Sequence, residues 1–330
     1  MAEWLYEAGI GEARAALVED GEVIEALIEP DTSVWRAGAI ANAQLIEILM
    51  PGRRGVARLD DGTEALVEPL AREWTQGARV RVEIVREAIA EPRNPKRAKA
   101  RPAVDAALKA GPHLRDRIAA SGIPVADCLP HGEDRLEAAG WSEVLASAQS
   151  GRVEFEGGTL LIEPTAAMTV IDIDGYLPPA SLAFAAAEAA ARAIRRFGIA
   201  GSIGIDFPTL GNRDERQTAA ERFDAGLPQP FERTAINGFG LMQVIRPRLR
   251  ASLIEQLRAG PAARAAPALL RRAERSGLVG ATRLVAAPAV IDRLSARPDW
   301  IDRLSRHLGG SVGLRADAAL TIWGGYEERA

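Results

Sequence analysis

Apolar and polar residues alternate through residues 3–29 on either side of Glu19-Asp20-Gly21-Glu22, as in Arg14-Ala15-Ala16-Leu17-Val18 and Val23-Ile24-Glu25-Ala26-Leu27-Ile28. A period of two around a glycine turn predicts a β-hairpin. Shorter runs follow at 38–43, 43–48, 55–59, 64–67 and 78–85, separated by Pro51-Gly52 and Asp60-Asp61-Gly62. Short strands so closely spaced predict a small barrel of the OB type, an architecture that commonly takes single-stranded nucleic acid. Residues 103–149 read as helices with a loop around 122–132, and 159–163 as the next strand.

The pattern then changes. Met168-Thr169-Val170-Ile171-Asp172-Ile173-Asp174-Gly175 and Gly201-Ser202-Ile203-Gly204-Ile205-Asp206-Phe207-Pro208 are short apolar runs that end in aspartate. Between them, 180–197 is alanine-rich without Gly or Pro, which predicts a closely packed helix. Strand, helix and strand of this length form a βαβ unit, whose crossover makes the strands parallel. Parallel strands bring their carboxyl ends to one sheet edge, where open α/β sheets place ligands. Asp172 and Asp174, two residues apart, face the same way in an extended chain. With Asp206 on a neighbouring strand, three carboxylates can converge within roughly the 5 Å strand spacing. A hard divalent cation such as Mg²⁺ relieves their repulsion. Aspartate at a strand end also starts turns and caps helices, so each residue singly has a plainer explanation.

Two basic stretches flank this region. Glu91-Pro92-Arg93-Asn94-Pro95-Lys96-Arg97-Ala98-Lys99-Ala100-Arg101-Pro102 reads as an exposed loop, because proline interrupts regular elements. Beside a barrel, Arg93, Lys96, Arg97 and Lys99 are placed to contact phosphates; otherwise the stretch is a solvated linker. In Phe239-Gly240-Leu241-Met242-Gln243-Val244-Ile245-Arg246-Pro247-Arg248-Leu249-Arg250, Arg246 and Arg248 suit phosphate binding, with surface pairing to Glu or Asp as the alternative. A helix at 251–258 and a Pro/Ala linker at 260–267 follow, the latter the best domain boundary. Residues 268–330 read as a compact α+β module: a helix, a strand at 282–287, helices at 289–294 and 300–307, then strands at 311–315 and 319–323.

At 330 residues and 47% hydrophobic, the chain can bury a sizeable core in two or three domains. A net charge of −4 gives no global basic field, so nucleic-acid contact must come from local clusters. Cys128 is the single cysteine, which excludes an intrachain disulfide and a Cys-rich zinc cluster. Three histidines, His113, His131 and His307, leave little for a His-based metal site. No apolar run approaches the roughly 18 residues that span a bilayer, and no charged-then-apolar leader opens the chain. A soluble cytoplasmic protein with no membrane partner is expected.

Taken in order, these residues resemble the catalytic half of the ribonuclease E/G family. Gly157-Gly158-Thr159-Leu160-Leu161-Ile162-Glu163-Pro164-Thr165 resembles the family's Gly-Gly-apolar-apolar-apolar-x-Pro-Thr-Glu-Ala run. Val170-Ile171-Asp172-Ile173-Asp174 resembles Ala-Ile-Asp-Val-Asn, and Ala200 to Phe207 resembles Gly-Gly-Leu-Ile-Val-Ile-Asp-Phe. Phe239 to Arg248 resembles Phe-Gly-Leu-x-Glu-Met-x-Arg-x-Arg. The resemblance implies a multi-domain α+β and α/β chain with RNase H-like and DNase I-like mixed sheets, an inserted OB-type (S1-like) barrel and a small C-terminal α+β module. Its boundaries fall at 1–34 (hairpin of the RNase H-like part), 35–90 (barrel), 91–150 (basic loop and remainder of the RNase H-like part), 151–260 (DNase I-like catalytic part) and 261–330 (C-terminal module).

Members of that family are endoribonucleases that cut single-stranded RNA with Mg²⁺ held by two aspartates, a neighbouring asparagine helping. The resemblance therefore implies Asp172 and Asp206 as catalytic metal ligands, with Asp174 at the asparagine position as a third. It implies Mg²⁺, or Mn²⁺ in its place, as cofactor and single-stranded RNA as partner. The chain also departs from the pattern. No Arg-Thr pair of a 5′-monophosphate sensor occurs at 103–150, and no Cys-Pro-x-Cys zinc link near 258–268. Arg58 and Leu66 stand nearest the barrel's stacking aromatics, and Gly238 replaces the arginine before Phe-Gly-Leu. The expectation is a reduced, Mg²⁺-dependent endoribonuclease of RNA processing or decay, without zinc, monomeric or homodimeric. The competing readings are a catalytically weak or inactive RNA-binding protein and an interaction protein on the same scaffold.

Overall fold

In the computed structural model, residues 1–32, 34–91, 95–130 and 132–330 are described. They divide into two compact units: Met1–Thr32 with Ile118–Val144 and Gln256–Ala330, and Ser33–Arg117 with Leu145–Glu255.

The chain opens with β1 (Glu3–Ala8), β2 (Glu12–Glu19) and β3 (Glu22–Pro30). This is the expected hairpin with one further strand. Its turn needs Asp20 and Gly21 at positive φ (51° and 85°), a conformation that Asp tolerates and Gly adopts freely.

Next, β4 (Ile40–Met50), β5 (Arg54–Leu59), β6 (Glu64–Val67), β7 (Arg79–Arg86) and β8 (Ala98–Pro102) close a barrel in the order β4-β5-β6-β8-β7. The runs at 38–43 and 43–48 merge into β4, whose first half pairs with β7 and whose second half, bent by register shifts, pairs with β5. One expectation is corrected here: 98–102 is a barrel strand, not part of an exposed loop. Ala98 and Ala100 are buried while Arg101 faces water. That alternation uses alanine as its apolar member, and the flanking prolines disguise it; Pro102 is tolerated at the strand's last position.

After the barrel come α1 (Leu114–Ala119), β9 (Val125–Asp127), α2 (Arg135–Ala138) and α3 (Trp141–Ser150). Strand β9 lies parallel to β1 and completes a four-stranded sheet, β3-β2-β1-β9.

The sheet that carries the aspartates follows. It contains β10 (Arg152–Phe155), β11 (Gly158–Pro164) and β12 (Thr169–Gly175); after α4 (Pro179–Arg196) come β13 (Gly201–Asp206), α5 (Arg213–Gly226), β14 (Glu232–Arg233) and β15 (Leu241–Arg246). Its order is β10-β11-β12-β13-β15-β14. As the βαβ pattern requires, β12 and β13 are parallel; the other neighbouring pairs are antiparallel. Ala183, Ala186, Ala187, Ala190 and Ile194 of α4 are fully buried. A Cβ on Gly226 of α5 would lie 2.9 Å from that of Ala191. Small residues thus bring the two helices close enough to form one layer, which is how a core with few aromatics is filled.

The chain ends with α6 (Leu253–Ala259), α7 (Pro261–Arg275), β16 (Thr282–Ala286), α8 (Pro288–Ser295), α9 (Pro298–Leu308), β17 (Val312–Ala316) and β18 (Tyr326–Arg329). The three strands form a sheet β17-β16-β18. The supposed linker at 260–267 is the first half of α7. Pro261 occupies the start of the helix, where no N–H is needed, and Pro267 lies inside it, buried. An interior proline costs about 3 kcal/mol; burial of Ala266, Leu269, Leu270 and Ala273 in the core around Trp300 offsets it. The strand expected at 319–323 is a run of turns: Asp317 accepts from the Ala319 N–H, and Thr321 from that of Gly324. The last strand is β18 instead.

Candidate active site

Along β12 the side chains alternate between a buried set, Thr169, Ile171 and Ile173, and an exposed set, Val170, Asp172 and Asp174. Along β13, Ile203 and Ile205 are buried and Asp206 is exposed. The period of two therefore puts all three aspartates on the sheet's open face, opposite the isoleucines. The register is Asp172 beside Asp206, in a row that reads Leu161, Asp172, Asp206, Leu241 across four strands. Neighbouring strands lie about 5 Å apart, so Asp172 and Asp206 form a pair. Asp174 stands two residues further along, beside Thr159.

Among the described residues none of the three carboxylates has an ion-pair or hydrogen-bond partner. Nor, among the described residues, do three His, Cys, Asp or Glu side chains gather into a metal-holding group. Two exposed, uncompensated carboxylates in register fit an ion of the Mg²⁺ type, which takes one or two carboxylates and completes its shell with water and phosphate.

Glycines hold the chain close around this pair. A Cβ on Gly158 would lie 2.4 Å from the Asp174 carbonyl oxygen, and one on Gly175 2.5 Å from that of Gly157. The Gly157-Gly158 pair thus lets the β10–β11 turn lie directly against the end of β12. On the other side, Gly240 has φ 94°, and a Cβ there would meet the Phe207 carbonyl oxygen at 2.2 Å and Asp206 Oδ1 at 3.7 Å. The Phe207 N–H donates to the Gly240 oxygen (3.1 Å), and Asn237 Oδ1 accepts from the N–H groups of Phe239 (2.9 Å) and Leu241 (3.1 Å). The loop is tied down, yet it leaves the Phe239 ring 87% exposed; Tyr176, just past Gly175, is 84% exposed. Tyr176 and Asn237 do not stand out in the sequence pattern, although Asn237-Gly238 is a turn signal; Phe239 is visible there only as the first residue of the Phe-Gly-Leu stretch.

The basic candidates lie elsewhere. Arg246 is in register with Gly201, five residues from Asp206 and so roughly 16 Å away along the strand; it donates to the Ile199 carbonyl at 3.0 Å. Arg248 pairs with Glu255 and, at 3.6 Å, with Glu91. Lys96 pairs with Glu91 (2.6 Å), Arg97 with Glu64 (3.0 Å), Lys99 with Glu68 (2.9 Å) and Arg101 with Glu83 (2.8 Å). Hydrogen bonds from Lys99 and Arg54 hold the Glu68 carboxyl below its ordinary range. Arg93 lies outside the described residues.

The barrel wall carries a cavity of about 450 Å³ lined by Asn42, Gln44, Arg58, Trp74, Arg79 and Arg81, among others. Gln44 is in register with both Arg58 and Arg79, which brings the arginines together. Trp74 is missed by strand periodicity because it sits in the turn-rich segment between β6 and β7.

Comparison with known proteins finds similarity over the stretch that contains this sheet. Residues 113–249 match the Ribonuclease E/G family. Over 109 residues the chain is 34% identical to the Ribonuclease G of Salmonella typhimurium (strain SL1344) and 33% identical to that of Escherichia coli (strain K12). The matched stretch is 29% of this chain and 22% of each relative. The chain thus spans about a fifth of the length of the curated relatives it matches.

Proposed function

We propose that this chain, which matches the Ribonuclease E/G family over residues 113–249, is a member of that family and an endoribonuclease of RNA processing or decay. Its substrate is single-stranded RNA, and its chemistry is centred on Asp172 and Asp206. The observation that carries the reading is the in-register, unpartnered carboxylate pair within the matched segment. In this reading the six-stranded sheet is the DNase I-like part, the four-stranded sheet the RNase H-like part and the barrel an S1-like OB fold.

Asp172 and Asp206 would hold the cation on the open face, each through a carboxylate oxygen. When bound, Mg²⁺ or Mn²⁺ neutralises charge on the scissile phosphate and lowers the pKa of an attacking water. Asp174 keeps an oxygen at the position the family fills with asparagine, and it orients a water by accepting its hydrogen bond. Arg79 and Trp74, with Arg58 shared with Glu64 at 3.5 Å, give the strand a basic and aromatic surface on the barrel. With Arg246 and Arg248 engaged by structural partners, phosphate neutralisation falls to the cation and the barrel. A second reading, an RNA-binding protein without turnover, draws on Asp174 and Gly238 standing where the family has asparagine and arginine.

The test is cleavage of a short, end-labelled single-stranded RNA while Mg²⁺ is titrated. Wild type is expected to cut in a Mg²⁺-dependent manner that EDTA abolishes, and to treat 5′-hydroxyl and 5′-monophosphate ends alike. Binding without cutting at any Mg²⁺ or Mn²⁺ concentration would favour the second reading.

A further inference from the structure

We propose that Phe239, with Tyr176 on the opposite flank, is a base-stacking platform that sets the position of single-stranded RNA over the Asp172–Asp206 pair. The inference rests on the function proposed above and names how that site grips its substrate. The two rings are 87% and 84% exposed, an unusual state for large aromatic side chains. Both lie at the edge where β12 and β13 end. Tyr176 leaves β12 just after Asp174-Gly175, and Phe239 precedes Leu241, whose register partner is Asp206. The adjoining strands β12 and β15 are separated by β13 alone, so those strands lie roughly 10 Å apart, twice the strand spacing, with Phe239 two residues beyond the Asp172–Asp206–Leu241 row and Tyr176 four.

Phe239 is not on a loose loop tip. Asn237 binds the backbone on both sides of it, and Gly240 is pressed against Phe207 with Asp206 Oδ1 3.7 Å from its Cβ position. The fold thus fixes the backbone of an apolar ring one residue from the contact with Asp206 and leaves the ring uncovered. Beside three carboxylates the phosphates of a strand are repelled unless a cation intervenes. The neutral faces of its bases are not, and base–aromatic stacking is the usual grip on unpaired RNA. Phe239 has no polar side-chain atom, so the platform tolerates any base and chooses where along the strand the phosphate sits.

The experiment uses a set of short RNAs carrying 2-aminopurine at successive positions, with Ca²⁺ in place of Mg²⁺ to keep them intact. Stacking quenches this base. Wild type should quench it at one or two positions. Phe239→Leu should abolish the quench at one of them and weaken binding tenfold or more (about 1.4 kcal/mol), while Phe239→Trp keeps both. With Mg²⁺, Phe239→Leu should raise KM more than it lowers kcat, and melting should not change because the ring is exposed. No quench at any position in wild type, or an unchanged quench and KM in Phe239→Leu, overturns the platform. So does a variant that changes only the oligomeric state, since the ring then covers a second copy. Quenching without Mg²⁺-dependent cleavage would sink the proposed function and leave the platform standing; cleavage with a Phe239→Leu variant indistinguishable from wild type would do the reverse.

Discussion

Two groups of acidic residues in this chain live in opposite surroundings. Glu7 and Glu12 have side chains 1% and 3% exposed. Arg14 reaches Glu7 at 2.5 Å and Asp134 at 2.8 Å, Arg275 reaches Glu7 at 3.0 Å, and Arg264 and Arg271 reach Glu12 at 3.1 and 2.7 Å. Arg14 also lies 5.4 Å from the centre of the Trp141 ring. Burial, with Arg271 nearby, pushes the Arg14 guanidinium below its ordinary value, against Glu7 and Asp134. Asp172 and Asp206 sit in water on an open sheet face without a protein cation. A buried carboxylate must be paired, because desolvating an uncompensated charge is prohibitive. An exposed pair need not be, so leaving it unpaired costs little and keeps it free for an external cation. The first group holds the fold and the second is available for chemistry.

The strongest way to break this contrast is to remove the open pair. Asp172→Asn or Asp206→Asn should lower RNA cleavage at least about 1000-fold, roughly 4 kcal/mol of barrier, with melting unchanged or slightly raised as repulsion is relieved. Near wild-type turnover in either variant would remove these residues from the chemistry. Next is the buried group. Arg271→Met leaves Glu12 and Glu7 short of a cation and should cost about 3–5 kcal/mol in urea unfolding, whereas Arg271→Met combined with Glu12→Leu should cost less than the sum of its parts. A loss below about 1 kcal/mol in the single variant would mean that the network contributes little.

A pH series sharpens the contrast further. Burial raises the Asp134 carboxyl, but the Arg14 charge, the Glu137 N–H and Arg275 outweigh it, so the group lies below its ordinary value. A carboxyl depressed on folding contributes stability that is complete above its unfolded pKa of about 3.9 and is lost as pH falls through the folded value. Asp134→Asn should therefore be less stable than wild type at pH 7, with the gap closing below about pH 4. A gap independent of pH would rule out this linkage. The smallest effect concerns RNA affinity. Arg79, which forms no ion pair among the described residues, should lower the slope of log affinity against log salt by about one when changed to Ala. Lys99→Ala should lower it less, because that lysine is shared with Glu68.

Much of the fold could be read in advance. The hairpin, four of the five barrel strands and the β12-α4-β13 unit follow from period-two and alanine-rich patterns, and Asp172 and Asp206 fall side by side as that unit requires. Of the three segments whose structure departs from the pattern, two do so for one reason. Proline marks a break in a local pattern, but in 98–102 and in α7 the surrounding core imposes strand and helix on chain that contains it.

The chain alone reveals what depends on near neighbours: which residues alternate, where turns fall, and that Asp172 and Asp174 share a face. Folding settles the rest: that Asp206 falls beside Asp172, which charges are neutralised and which rings stay bare. Glu12 finds Arg264 from 252 positions away, and Arg97, Lys99 and Arg101 of the barrel turn out to have glutamates beside them. Phe239 looks like any core aromatic until its loop is seen to hold it in water. Periodicity is set by backbone geometry within a few residues, whereas burial and ion pairing depend on which distant segments become adjacent.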